Sequence, residues 1–164
     1  MIKLLEPQDI SRIAEIHIFG WRSAYRDLIS DDYLFNSLSV SKRINSLNDT
    51  KQLSNEETYV FEDSGIIKAF MILGNSRSTD KPNAFELYAL YVEPLMKGQG
   101  IGTQMISKLE ETARYKGFRE TILWVFRNNK SARKFYENNR YKTDGKEEIL
   151  EKFNQVEIRY VKQI

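Results

Sequence analysis

The run Lys97-Gly98-Gln99-Gly100-Ile101-Gly102-Thr103 stands between a strand-like stretch and the start of an amphipathic helix. Glycines in such a place let bare backbone N–H groups approach an anion, and a helix N-terminus adds partial positive charge. The loop is not a Walker A motif, because no Lys-Ser/Thr follows Gly102. It also departs from the dinucleotide fingerprint: position 103 is Thr where the third glycine belongs, and at least three strands precede the loop. A second group of residues suits cation recognition. His17, Trp21 and Tyr25 recur every four residues and so share one helix face. Two aromatic rings and an imidazole offer cation–π contact to a cation or a flat acceptor, or they simply pack a core. Tyr33 and Tyr88 are further candidates for the same role.

Composition excludes several chemistries. The 164 residues contain no Cys and one His, with 25 Lys+Arg against 23 Asp+Glu. Without cysteine there is no thiolate nucleophile, no disulfide framework and no Cys-ligated metal, and one His builds no multi-histidine site. No metal is therefore expected. A net charge of +2 lacks the strongly basic stripe of a nucleic-acid binder. The charge is uneven, however. Residues 1–80 carry nine Lys+Arg against twelve Asp+Glu, and residues 81–164 carry sixteen against eleven, so the second half is the one suited to facing an anion. No apolar run approaches membrane-spanning length, and Met1–Pro7 meets an acid and a proline too early for a secretory segment. The expectation is one soluble, cytoplasmic domain over residues 1–164, with neither nucleic acid nor membrane as partner.

The pattern of apolar residues supplies the elements that must position these groups. Ile2–Leu5 reads as a short strand, and Ile10, Ile13, Ala14, Ile16, His17, Trp21 and Tyr25 fall at helical spacing from Gln8 to Tyr25. Short helices are expected over Asp32–Ser37 and Lys42–Leu47, then a polar loop over Asn48–Asn55. Thr58–Phe61 and Ile66–Leu73 flank the turn Asp63-Ser64-Gly65, and Phe85–Val92 follows as a third strand of a meander. A helix over Gly100–Lys116 carries the stripe Ile101, Met105, Ile106, Leu109 and Ala113, with Gly117 as its stop. Thr121–Val125, a helix over Lys130–Asn138, and strands near Tyr141–Leu150 and Val156–Val161 complete the chain. The class is α+β: a mostly antiparallel mixed sheet of about seven strands with about four helices on both faces.

Leu90-Tyr91-Val92-Glu93-Pro94 followed by Lys97–Gly102 resembles the acyl-CoA signature of the GNAT superfamily of N-acetyltransferases. Asn129-Lys130-Ser131-Ala132-Arg133-Lys134-Phe135-Tyr136 is similar to that superfamily's Asn-x-x-Ala-x-x-Phe/Leu-Tyr stretch, and the order of elements fits as well. His17…Trp21…Tyr25 with Asp32-Tyr33-Leu34 is similar to a broad bacterial branch whose acceptors are mostly unassigned. Two positions depart from the pattern. Lys97 stands where Arg or Gln is common, keeping charge but losing the planar fork. Arg140 stands where Gly usually follows the later helix, so Asn139 or Arg140 must take that turn without glycine.

The resemblance implies acetyl-CoA as acyl donor and a small-molecule or peptide amine as acceptor. It places backbone N–H groups of Lys97, Gly98, Gln99, Gly100, Ile101, Gly102 and Thr103 at the pyrophosphate, with Lys97, Lys130, Arg133 and Lys134 as charge beyond it. It places the pantetheine arm like an added strand where Leu90–Val92 and Ile122–Val125 splay apart, with an N–H near Tyr91 or Val92 at the developing oxyanion. Asn129 would hydrogen-bond that arm, and Ala132 and Phe135 would shape its wall. An alkylamine is protonated at neutral pH and needs a base, for which Glu86 is the candidate, with His17 or water as rivals. Tyr136 matches the general acid that protonates the leaving thiolate. His17, Trp21, Tyr25, Tyr33 and Tyr88 fall to the acceptor pocket, and a homodimer through the late strands is compatible with this layout. A catalytically idle acyl-CoA sensor and a nucleotide-binding module remain as alternatives.

Overall fold

The helical spacing that begins after Pro7 produces α1 (Ile10–Tyr25), whose inner face buries Ile10, Ile13, Ala14 and Ile16. Its entry is a tight turn over Pro7–Asp9, where the Asp9 carboxylate accepts the Glu6 N–H at 3.1 Å and satisfies a donor that the helix leaves open. A computed structural model describes residues 1–49 and 55–164. The remaining elements follow in chain order. After β1 (Ile2–Leu4) and α1 come α2 (Val40–Asp49), β2 (Glu56–Asp63), β3 (Ile66–Asn75) and β4 (Phe85–Val92). Then come α3 (Ile101–Tyr115), β5 (Glu120–Phe126), α4 (Lys130–Asn138), β6 (Lys142–Leu150) and β7 (Gln155–Gln163). Residues 50–54 of the expected loop lie outside the described residues, and Asn48 and Asp49 end α2. The short helix expected over Asp32–Ser37 is present, wound as a wide π-type turn over Tyr33–Ser37 and closed by the Leu38 N–H on the Tyr33 carbonyl at 2.9 Å.

The seven strands form one mixed sheet in the order β1-β2-β3-β4-β5-β7-β6. β1 pairs antiparallel with β2, β7 pairs antiparallel with both β5 and β6, and β4 runs parallel to β5. Parallel neighbours need a crossover, and α3 supplies it. The parallel register matches Phe85–Leu87 with Thr121–Leu123, while β4 itself continues to Val92. Between β2 and β3 both Ser64 (φ 53°) and Gly65 (φ 78°) are left-handed, so Ser64 shares a conformation expected of Gly65 alone. A turn with two such residues matches the twist of the strands it joins. Among the described residues, no helix is long and apolar enough to cross a membrane.

The chain divides into two compact units, residues 1–72 with 89–105, and residues 73–88 with 106–164. In the first, Ile10, Ile13, Ala14, Ile16, Leu47, Val60, Ile67 and Phe70 form one apolar cluster. In the second, Phe85, Leu109, Ile122, Leu123, Tyr141 and Tyr160 are among the most deeply buried side chains. The α3 stripe is buried at all five expected positions.

Helices α3 and α4 end in the same motif. Phe118 donates its N–H to Ala113 and Gly117 to Arg114, both at 2.9 Å, with Gly117 at φ 87°. Tyr141 donates to Tyr136 at 3.0 Å and Arg140 to Glu137 at 2.9 Å, with Arg140 at φ 67°. Arg140, rather than Asn139, therefore takes the left-handed position. A side chain there costs roughly 1–2 kcal/mol, partly offset by the greater freedom of glycine in the unfolded chain. Arg140→Gly is expected to stabilise the protein by about 0.5–1 kcal/mol, read as a higher urea midpoint.

Candidate active site

The first unit holds the glycine loop. Its entry is fixed at Glu93, whose N–H donates to the Lys68 carbonyl at 2.8 Å and whose carboxylate accepts Arg12 Nη2 at 2.7 Å. Gly98 (φ 81°) and Gly100 (φ 77°) are left-handed, and a Cβ added to either would meet nothing within 4 Å. The space over both residues is open, and the chain passes directly from them into α3. The leading N–H groups of a helix have no acceptor within it, so the loop and first turn offer backbone donors to an anion. Lys97, Gly98, Gln99, Gly100 and Thr103 are exposed, Gly102 is half-buried, and Ile101 is buried as the first residue of the α3 stripe.

The aromatic residues of α1 gather around β4 in the same unit. The His17 ring meets Tyr91, Trp21 and Phe70 edge-on at 5.0, 5.6 and 6.1 Å, and Trp21 meets Tyr25 at 5.1 Å and Tyr33 at 6.1 Å. Tyr25 and Tyr91 bring their hydroxyls to 3.5 Å. The structure thus joins Tyr91, half-buried like Leu90 and Val92, to the residues expected around an acceptor. Gly20 makes this possible, because a Cβ there would lie 2.7 Å from Tyr91 Cδ1. A glycine inside a helix costs about 1 kcal/mol relative to alanine, and that is the sequence signal by which this close approach was open to detection.

His17 Nδ1 is buried with no hydrogen-bond partner among the described residues. Burial, reinforced by the nearby Arg43 charge, pushes the imidazole down to about 3. Arg43 is itself held below its ordinary value, chiefly by burial. The folded value of His17 lies below the unfolded reference of about 6.5, so the unfolded chain binds more protons between roughly pH 3 and 6.5. The stability that His17 contributes is complete above that window and is lost as pH falls through it. Acidification from pH 7 to pH 5 is expected to cost the wild type about 1–2 kcal/mol more than His17→Gln, measured by urea unfolding at both pH values.

The second unit holds Glu86 and Tyr136. Glu86 is 1% exposed. Its Oε2 accepts the Arg77 N–H at 2.7 Å, and its Oε1 accepts Arg77 Nη2 at 2.7 Å and Nε at 3.1 Å. Arg77 therefore engages both oxygens of the carboxylate expected to serve as base. Arg77 also lies over the Tyr88 ring at 4.0 Å, and the Tyr88 hydroxyl donates to the Asn75 carbonyl at 2.5 Å. Glu86 and Tyr88 line a cavity of about 420 Å³ in this unit. Arg77 and the cavity residue Trp124 belong to no motif, and only the tertiary structure reveals them.

On α4, Asn129 caps the helix, its Oδ1 accepting the Ala132 N–H at 3.1 Å. Tyr136 is half-buried between Phe135 and Tyr141, with ring centroids at 5.1 and 6.1 Å, and Ala132 and Phe135 are half-buried beside it. Of the expected cations, Lys97, Lys130 and Lys134 are exposed, whereas Arg133 donates to the Tyr160 hydroxyl at 3.0 Å and the Arg127 carbonyl at 3.1 Å. Tyr160 donates onward to Glu137 at 2.7 Å, so Arg133 ties α4 to β7. Among the described residues, no group of three or more His, Cys, Asp or Glu is arranged to hold a metal ion.

The sequence profile of the Acetyltransferase (GNAT) family matches residues 13–140. An uncharacterized N-acetyltransferase of Bacillus subtilis, YuaI, is 32% identical over 125 residues, covering 76% of this chain and 70% of that one. A spermidine N(1)-acetyltransferase of Thermoplasma acidophilum is 27% identical over 158 residues, covering 92% and 95%. The crystal structure of PaiA N-acetyltransferase from Thermoplasma acidophilum, in complex with coenzyme A, superposes with a TM-score of 0.75 at 20% identity, covering 100% of this chain and 98% of that one.

Proposed function

This chain belongs to the GNAT acetyltransferase family and is an acyl-CoA-dependent N-acetyltransferase, and from that premise we propose that it moves an acetyl group from acetyl-CoA to the primary amine of a small molecule by direct attack. The observation that carries the reading is the open glycine cradle at Gly98 and Gly100, which leads straight into α3. Backbone N–H groups of Lys97–Thr103 hold the pyrophosphate, with the exposed Lys97, Lys130 and Lys134 supplying charge. Acetyl-CoA, when bound, supplies a thioester carbonyl open to nucleophilic attack. A backbone N–H near Tyr91 or Val92 donates to the developing oxyanion.

Glu86 takes the proton from the acceptor ammonium, directly or through water. A carboxylate offers about four acceptor positions, and Arg77 uses three, leaving one on Oε2. His17 is the poorer base, since a group held at about 3 retains little proton affinity near neutrality. As the new N–C bond forms and the C–S bond breaks, the bond pair leaves with sulfur, and the Tyr136 hydroxyl protonates it. Asn129, Ala132 and Phe135 align the pantetheine arm. The relative that acts on spermidine supports a small-molecule amine as acceptor.

The reading is tested by thiol release from acetyl-CoA over a panel of primary amines, with calorimetry of acetyl-CoA and ATP alongside. Amine-dependent release together with acetyl-CoA binding supports it. Acetyl-CoA binding without release marks an idle sensor, binding of ATP in place of acetyl-CoA marks a nucleotide module, and either result overturns it.

A further inference from the structure

The cavity that Glu86 faces lies wholly within the second unit, and its walls already contain an organic cation. The Arg77 guanidinium rests on the Tyr88 ring at 4.0 Å while bonded to the buried Glu86, although 62% of the Arg77 side chain is exposed. A buried carboxylate beside an aromatic face is the chemistry that recognises an organic ammonium. The chain's own guanidinium occupies that place at one end of the cavity.

On the opposite wall the Arg159 guanidinium lies over the Trp124 ring at 5.6 Å, and Lys146 also lines the cavity. Glu148 and Glu157 line the cavity and are direct cross-strand partners of β6 and β7. Like charges in that arrangement disfavour the pairing. Neither has an ion-pair partner among the described residues, whereas the nearby Asp80 is taken up by Arg159 through two bonds of 2.8 Å. Burial first, and then the Glu148 charge, pushes the Glu157 carboxyl up. Trp124, which shares the wall, adds a second aromatic surface. Four carboxylates, Asp80, Glu86, Glu148 and Glu157, thus line the cavity against Arg77 and Lys146, and the two on the late strands are in no direct ion pair among the described residues, an arrangement suited to further positive charge.

We infer that this cavity holds the remote ammonium of a di- or polyamine acceptor on Glu148, Glu157 and Trp124, and that Arg77 is an internal cation competing for it. The inference rests on the amine-acceptor reading above and narrows it to amines that carry a second charge. The Arg77 charge raises the cost of bringing a second cation into the same cavity, so its removal favours the doubly charged acceptor.

The test compares butylamine with 1,4-diaminobutane and spermidine at saturating acetyl-CoA, using the ratio of their kcat/KM values. In the wild type the doubly charged amines are expected to exceed butylamine at least tenfold. The Glu148→Gln/Glu157→Gln double variant is expected to reduce that ratio below threefold, and Arg77→Gln to lower KM for 1,4-diaminobutane at least threefold. Gln is near-isosteric with Glu, none of the replaced side chains is fully buried, and neither a ratio taken within one protein nor KM depends on the folded fraction. A wild-type ratio near one, a ratio unmoved in the double variant, or an unchanged or higher KM in Arg77→Gln overturns the cavity assignment while leaving the acetyltransferase reading intact. No release with any amine overturns both.

Discussion

Tyr136→Phe is expected to lower turnover at least tenfold while leaving acetyl-CoA affinity nearly unchanged. Tenfold corresponds to about 1.4 kcal/mol of barrier, the lower end of what a positioned proton donor supplies. The substitution removes one oxygen and keeps the ring, so the edge-on contacts with Phe135 and Tyr141 persist. The backbone also stays in place. The Tyr136 carbonyl accepts the Tyr141 N–H in the motif that ends α4, and Arg133 and Tyr160 fasten that helix to β7. Loss of turnover without loss of binding therefore isolates the hydroxyl. Calorimetry with acetyl-CoA and single-turnover thiol release measure the two quantities separately, and a normal turnover number would assign Tyr136 to packing alone.

Phe70→Ala is expected to cost the most stability, about 3–5 kcal/mol, a large share of the roughly 5–15 kcal/mol typical of a domain. Phe70 is fully buried, sits in the apolar cluster built on α1, stacks on Tyr91 at 5.6 Å and meets His17 edge-on at 6.1 Å. Truncation opens a cavity that close-packed neighbours fill only in part. It also admits water beside His17, whose low proton affinity depends chiefly on burial. The acid-sensitive part of stability is therefore expected to shrink in the same variant. Urea unfolding at pH 7 and pH 5 reads both effects, and Phe70→Leu retains enough fold for the comparison. A loss below 1 kcal/mol for Phe70→Ala contradicts the packing described here.

Much of the architecture was legible because it is written in local periodicities. The stripe from Ile101 to Ala113 repeats at helical spacing, and all five positions are buried. Gly117 ends α3 where a left-handed residue is needed, and Arg140 takes the equivalent left-handed position after α4. The loop Lys97–Thr103 combines glycines with a helix start, and both halves of that signal are contiguous in the chain. Gly20 carries a subtler signal of the same kind, since a glycine inside a helix asks for a close neighbour, here Tyr91.

The apolar periodicities determined the elements, and the glycine loop and the α4 motif carried the resemblance to the family and, through it, acyl-CoA dependence, because each is made of residues close together along the chain. Only the tertiary structure decided what surrounds Glu86. Trp124, Glu148 and Glu157 share a cavity because β7 inserts between β5 and β6, setting Trp124 opposite Arg159 and Glu148 opposite Glu157. Alternation along a strand tells which residues share a face, but it carries no record of which strand lies alongside. Pairing is chosen by packing of the whole sheet, so the charge balance of that cavity exists only once the chain has folded.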